Sequence, residues 1–234
     1  IFDPTKFNGT PPTGYKALTQ DNKDGTDDKI TAWAWIKNRE DNSTSHVMVD
    51  RVRGVTKVMH PDGTGAEATG ANSVQRFLQR GVQIGNGSLE NTVNKSHVLW
   101  QWLIGTSAST GSTTSPAGTI ASTSIVADAD HFSIVTYSGN QTSGATFGHG
   151  LGGAPEMVIV KERDPGGNNW MVGHDAVGWT KYLAWDTDAA AVTSSARWND
   201  TDPSSTLVTL GNDTGINATS ATYVAYCFRS VPGV

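Results

Sequence analysis

Trp33-Ala34-Trp35-Ile36-Lys37-Asn38-Arg39 decides the fold class, because Trp33, Trp35, Lys37 and Arg39 alternate with the smaller or apolar Ala34 and Ile36. A period of two is what a pleated strand imposes, since its successive side chains point to opposite faces. Met157-Val158-Ile159-Val160 repeats the pattern with a more apolar composition and runs on into Lys161-Glu162-Arg163. The two stretches are copies of one another. Trp35-Ile36-Lys37-Asn38-Arg39 lies over Ile159-Val160-Lys161-Glu162-Arg163, and Gly54-Val55-Thr56-Lys57 over Gly178-Trp179-Thr180-Lys181, both at a shift of 124 residues (37 against 161, 54 against 178).

Working outward, Val82-Gln83-Ile84-Gly85-Asn86 matches Val208-Thr209-Leu210-Gly211-Asn212, and Val98-Leu99-Trp100-Gln101-Trp102 matches Val224-Ala225-Tyr226-Cys227-Phe228, now at a shift of 126 (85 against 211, 98 against 224). Two extra residues therefore fall in the loop between. Asn91 and Asn217 occupy the same register, each shortly before the final strand. An ordered series of matches over some seventy residues marks an internal duplication.

The composition agrees with a β protein. In 234 residues there are 26 glycines, 17% charged and 8% aromatic residues, and the Leu, Glu and Lys that build long helices are scarce. The expected fold is all-β: two tandem antiparallel β-sandwich domains of jelly-roll or lectin-like form, at 30–104 and 125–234. The run Gly105 to Gly118, dominated by Ser, Thr and Gly, is expected to act as a flexible linker across 105–124. Phe132-Ser133-Ile134-Val135-Thr136-Tyr137 followed by Ser138-Gly139-Asn140 predicts an opening hairpin in the second copy. Residues 1–29, with Pro11-Pro12 and the acidic stretch Asp21 to Asp28, carry no evident counterpart and are read as the end of a preceding domain. The start at Ile1 fits a piece of a longer chain.

Net charge is −5, which does not provide the basic surface that phosphates or an anionic membrane require, so no nucleic-acid partner is expected. No stretch approaches the ~18 apolar residues of a membrane helix, and no membrane insertion is expected. Cys227 is the single cysteine and reads as a small buried thiol, so the fold stands without disulfides.

Each candidate for chemistry has a plainer reading. Gly148, Gly150 and Gly153 satisfy G-x-G-x-x-G, but Pro155 and a strand follow where a dinucleotide site needs a helix, so the segment reads as a loop. Asp21 to Asp28 opens like a calcium loop yet has no closing glutamate, so a solvated turn is expected and no metal. His174, Asp175 and Cys227 could suggest a triad, but adjacent strand residues face opposite ways. His46, His60, His97, His131, His149 and His174 show no paired metal spacing. The Asn-x-Ser/Thr triplets at Asn8, Asn42, Asn86, Asn94, Asn140, Asn199, Asn212 and Asn217 follow from composition. No catalytic residue, cofactor or metal is expected, and the chain is not read as an enzyme. Lys37/Lys161, Arg39/Arg163 and Lys57/Lys181 recur in both copies, a shared ligand being one reading and shared architecture the favoured one. Among eight tryptophans, Trp33, Trp35, Trp100 and Trp102 sit in strand patterns and read as core. Trp170, Trp179, Trp185 and Trp198 lie nearer loops and are the candidates for stacking on a glycan or meeting a partner.

The blocks WIKNR, VDRVRGVTKVM, GAEAT and VLWQWLI, and in the second copy HGLGGAPEMVIVKER, WTKYLAWDTDAA and TLVTLGNDTGINATSATYVAYCF, resemble a repeated β-domain of bacteriophage virion and tail-fibre-like proteins. Pro11 to Leu18 is similar to the close of the concanavalin-like, SPRY-like domain that precedes such repeats. The resemblance implies a virion structural protein of a tail, fibre or particle surface, with other virion proteins as partners, homo-oligomeric assembly and no transferable catalytic residues. The alternative is a carbohydrate-binding module for host surface glycans. A depolymerase ranks third, since no pair of acids stands out.

Overall fold

A computed structural model describes residues 2–8, 16–19, 29–105, 113–115, 117–127 and 130–233. The chain divides into two units, Ile1–Asp62 with Glu67–Ser107, and Gly63–Ala66 with Ala108–Val234. It is all-β, 44% strand and 4% helical, in several antiparallel sheets. The acidic stretch Asp21 to Asp28, residues 11–15 and residues 106–112 of the expected linker lie outside the described residues.

The first unit runs β1 (Phe2–Asn8), β2 (Lys16–Thr19), β3 (Ile30–Asn38), β4 (Val47–Asp50), β5 (Lys57–Val58), β6 (Ala68–Thr69), β7 (Val74–Leu78), β8 (Gly81–Ile84) and β9 (Ser96–Ile104). Its main sheet has the order β1-β9-β3-β4, opposed by β2-β8-β7. Ala34, Ile36, Val47, Val49 and Leu99 of the main sheet meet Val74, Val82 and Ile84 of the smaller one in a shared core, which makes the unit β-sandwich-like.

The second unit contains β10 (Thr113–Ser115), β11 (Ser122–Val126), β12 (Phe132–Ser138), β13 (Ala145–Gly148), β14 (Met157–Asp164), β15 (Met171–His174), β16 (Lys181–Ala184), β17 (Val192–Thr193), the short helix α1 (Ser195–Trp198), β18 (Leu207–Leu210), the helical turn α2 (Thr214–Asn217) and β19 (Thr222–Phe228). Its main sheet is β10-β11-β12-β19-β14-β15-β16-β17, opposed by β13-β18. Val158, Val160, Tyr223, Ala225 and Cys227 pack there against Phe147, Val208 and Leu210.

The strand pairing of the two units repeats along most of the aligned copies, although β7 has no strand counterpart in the second unit. β3 pairs with β9 as β14 pairs with β19, and the Met48–Met59 backbone bridge reappears as Val172 opposite Leu183. The positive-φ glycines Gly54 and Gly178 both donate their N–H four residues back, to Asp50 O and His174 O, at 3.0 Å each. Gly85 N–H donates to Ser73 O at 2.8 Å and Gly211 N–H to Arg197 O at 2.6 Å. A Cβ on either glycine would run into the backbone at Asn72 or Ala196, so close approach requires glycine at both sites.

Two expectations are corrected. The opening strands thought missing from the first copy are present: β1 pairs with β9 in the register Phe2↔Trp102 as β12 pairs with β19 in the register Phe132↔Phe228, and β2 pairs with β8 as β13 does with β18. Residues 2–8 thus complete this unit's sheet instead of ending a preceding domain, and Pro4 is tolerated because β1 is an edge strand. Within the expected linker 105–124, Thr113–Ser115 and the first part of Ser122–Val126 are strands that extend the second unit's sheet. Thr is a good strand residue, and a neighbour's backbone supplies the pairing that draws Ser in with it.

The recurring polar residues hold loops. Lys37 Nζ donates to Asp41 O at 2.9 Å and Thr44 O at 2.6 Å; Lys161 Nζ, fully buried, donates to Thr64 O at 2.9 Å and Asn168 O at 2.7 Å. Burial lowers the Lys161 pKa, with Glu162 and Asp186 opposing. Asn91 and Asn217 donate from Nδ2 to Gly85 O at 2.8 Å and Gly211 O at 2.7 Å. Asn217 also donates to Thr142 O at 3.1 Å and accepts from Asn140 N–H at 2.9 Å. Asn217→Ala is expected to destabilise by about 1–3 kcal/mol, because the buried Gly211 carbonyl loses its donor. Asn217→Asp should cost at least as much, a carboxylate having nothing to donate; a urea denaturation midpoint unchanged by either variant would remove the clamp from this account.

Candidate functional site

Burial among the second unit's tryptophans runs against expectation, while Trp33 is buried as expected. In the second unit Trp179 and Trp198 belong to the core, edge-on at 5.6 Å and 84°. Trp170 is fully buried beside Tyr226, and its Nε1–H donates to Gly63 O at 3.2 Å. Trp185 alone is half-buried, against Trp170 at 6.2 Å. Three of the four contact candidates are therefore filling, because the loops that close this sandwich need large side chains beneath them. Trp179 edges a pocket of about 350 Å³ with Pro155, Asp175 and Asp202, and its Nε1–H is already held by Asp175 Oδ1 at 2.6 Å.

In the first unit Trp33 and Trp102 stand directly opposite across β3 and β9 and stack at 3.9 Å, while Trp35 and Trp100, also opposite, are tilted at 55° with ring centres 5.3 Å apart. These rings occupy the sheet face turned away from the core of Ala34, Ile36 and Leu99, with Trp33 fully buried and Trp35, Trp100 and Trp102 half-buried. Strand alternation put them on one face, as expected, but it is not the face of the sandwich core.

The first unit has a pocket of about 490 Å³ between β5, β6 and the turn after β8, within the size range of small-ligand sites. The duplication explains its origin. At the same place in the second unit the Arg197 guanidinium lies 4.5 Å from the centre of the Tyr182 ring and forms an ion pair with Asp213. Backbone hydrogen bonds establish the equivalence: Gly85 and Gly211 N–H donate to Ser73 O and Arg197 O, while Gly87 and Asp213 N–H donate to Asn72 O and Ala196 O, both at 2.9 Å. Tyr182, Arg197 and Asp213 thus correspond to Val58, Ser73 and Gly87. Three large or charged side chains have become three small ones, and the volume they filled is open.

Glu90 lines that pocket. Its counterpart in the second unit is Ile216, a fully buried core residue; Glu90 is itself only 4% exposed. The turn places it: Asn91 N–H donates to Gly87 O at 2.9 Å, as Asn217 N–H does to Asp213 O at 2.8 Å. A Cβ at Gly87 would run into Glu90 Oε2, so this glycine makes room for the carboxylate. Burial pushes the Glu90 carboxyl above the usual carboxylate range, while the nearby Ser73 hydroxyl and His60 partly oppose the rise. Ser73 Oγ is buried beside that carboxyl. His60 fixes one ring nitrogen on His46 O at 2.6 Å, and the exposed Asn72, Asn86 and Ser88 form the rim. Sequence reading missed this site, because a pocket made by small residues carries no motif; the available signal was Glu90 opposite Ile216 in the aligned copies.

The other candidates resolve as follows. Cys227 lies in the core with its thiol pushed up to about 12 by burial, far from a thiolate nucleophile at neutral pH. His174 uses Nδ1 to accept the Ala176 N–H at 3.0 Å in the turn after β15. His149, within the glycine-rich segment, is buried between β13 and β14 and bonds Ser204 O at 3.2 Å. No group of three or more metal-ligating side chains occurs among the described residues.

A family model described as a domain of unknown function (DUF7483) matches residues 15–234. No curated protein and no solved structure gives a significant match.

Because the folded chain holds the Glu90 proton more tightly than the unfolded chain does, the ionised carboxylate costs stability at neutral pH, and that cost disappears as pH falls through the raised folded-state value. Glu90→Gln should therefore melt higher than the parent at pH 7, with the difference closing on acidification. Thermal melts at stepped pH measure this. Cys227 should resist thiol reagents in the native chain and react fully once denatured, a contrast read by labelling and mass measurement.

Proposed function

The chain belongs to the DUF7483 family, and we propose that it is a non-catalytic structural module of a bacteriophage virion, with two lectin-like sandwiches in tandem serving a tail, fibre or particle surface. The observation that carries this reading is the use of the duplicated polar residues. Lys37 and Lys161 hold loop carbonyls, and Asn91 and Asn217 hold a glycine carbonyl. What both copies share is thus a scaffold, in keeping with extension by repetition. The resemblance of WIKNR, VDRVRGVTKVM and VLWQWLI to virion β-domains supplies the setting, with other virion proteins and further copies of the chain as partners.

A second reading, recognition of a host surface glycan, is favoured by one observation: the pocket open in the first unit is filled in the second. The tryptophans first considered for this role do not support it. The two readings are tested together. Mass spectrometry of purified particles should find the chain at multiple copies per particle, and its density should appear in a reconstruction of the intact virion; absence from particles would end the structural reading. A host-glycan array bound by the parent and not by a variant with a filled pocket would establish the second.

A further inference from the structure

We infer that the pocket of the first unit receives an arginine side chain from a partner polypeptide, with Glu90 as the counter-ion. The second unit displays the arrangement internally. There the same scaffold position holds a guanidinium, Arg197, beside a carboxylate and against the Tyr182 ring. In the first unit the residue that would carry the cation is Ser73, and the cavity lining has no lysine or arginine, His60 being the basic side chain that acts on Glu90. A carboxylate is nevertheless retained: Glu90 stands where the other copy has the apolar Ile216, 4% exposed and without a salt bridge among the described residues.

A buried carboxylate without a cation is unfavourable by itself, and it becomes favourable when a matching charge enters. Ser73 Oγ, buried at 3% exposure, lies beside the Glu90 carboxylate, and a hydroxyl that donates to a carboxylate keeps lone pairs to accept a guanidinium N–H. Guanidinium is planar, weakly hydrated and able to bond a carboxylate through two parallel N–H groups. Val58 presents an apolar wall where the other unit offers Tyr182, suited to the flat face of that group or to its methylene stem. The exposed rim of Asn72, Asn86 and Ser88 offers amides and hydroxyls to the peptide bonds on either side.

This inference deepens the structural-module reading, since it supplies the contact by which the chain would join a neighbouring protein. Titration of the whole chain with N-acetylarginine amide, its citrulline counterpart and glucosamine tests it, followed by calorimetry and by the amide resonances of Ser73, Gly87 and Glu90. The arginine probe should bind at least about tenfold tighter than the neutral citrulline probe, as expected for a charge-assisted bond. It should shift those three resonances and lose affinity as the carboxyl takes up a proton at acid pH. Glu90→Gln should lower arginine binding to the citrulline level. Ser73→Arg, which tethers a guanidinium in the cavity as the other unit does, should abolish binding while melting no lower than the parent.

Equal binding of citrulline, arginine binding indifferent to Glu90→Gln, or no binding by any probe would overturn the inference. Tighter binding of glucosamine than of the arginine probe would overturn it in favour of an amino-sugar ligand. Each of these results is independent of whether the chain is found in particles, so the failure of one proposal is distinguishable from the failure of the other.

Discussion

In each unit the last strand lies between two earlier ones: β9 between β1 and β3, and β19 between β12 and β14. That placement constrains everything else. A central strand forms both ladders of its main sheet at once, so neither sheet closes until the end of its unit has arrived from far along the sequence. Once it is seated, the period of two assigns every second side chain to the sandwich core. Leu99 joins Ala34 and Ile36 there, and Tyr223, Ala225 and Cys227 join Val158 and Val160. The alternate residues, Trp100 and Trp102 in one unit and Tyr226 and Phe228 in the other, take the opposite face.

The turn that delivers the central strand is the most faithfully repeated part of the molecule. A glycine pressed on a neighbouring backbone, an N–H to the same carbonyl, and an asparagine whose amide holds that glycine's own carbonyl occur in both units. These bonds lie in buried surroundings, where an unmade hydrogen bond is costly. Substitution is therefore restricted at the turn and freer in the side chains that look out from it. Tyr182, Arg197 and Asp213 can become Val58, Ser73 and Gly87 without altering a single one of the shared backbone bonds.

Buried charge shows the same division between scaffold and site. Lys161 is fully buried, yet two carbonyls accept from it and Glu162 is close by; its charge is met from within the unit. Glu90 is buried to nearly the same degree and meets the Ser73 hydroxyl, the His60 ring and its own turn, with no salt bridge among the described residues. One buried charge stabilises a loop and the other waits on a cation, a contrast set by whether the chain provides the partner.

The sequence alone showed the repeated strands and their duplication, because alternation and a shared order of Gly, Asn and Lys survive in the text of both copies, but not β10, read as part of a linker. It was silent on β1, where Phe2–Asn8 has a proline and no clean apolar alternation, since that strand exists through backbone pairing with β9. It read Trp33, Trp35, Trp100 and Trp102 as core, but a period of two is symmetric between the two sides of a sheet, and they lie on the face away from the sandwich core. It misjudged Trp170, Trp179 and Trp198, whose loops have no period to reveal burial. The pocket was decided by tertiary structure alone: a cavity is the volume that side chains leave unfilled, and what is missing at Val58, Ser73 and Gly87 becomes visible only when three separated segments are brought around Glu90.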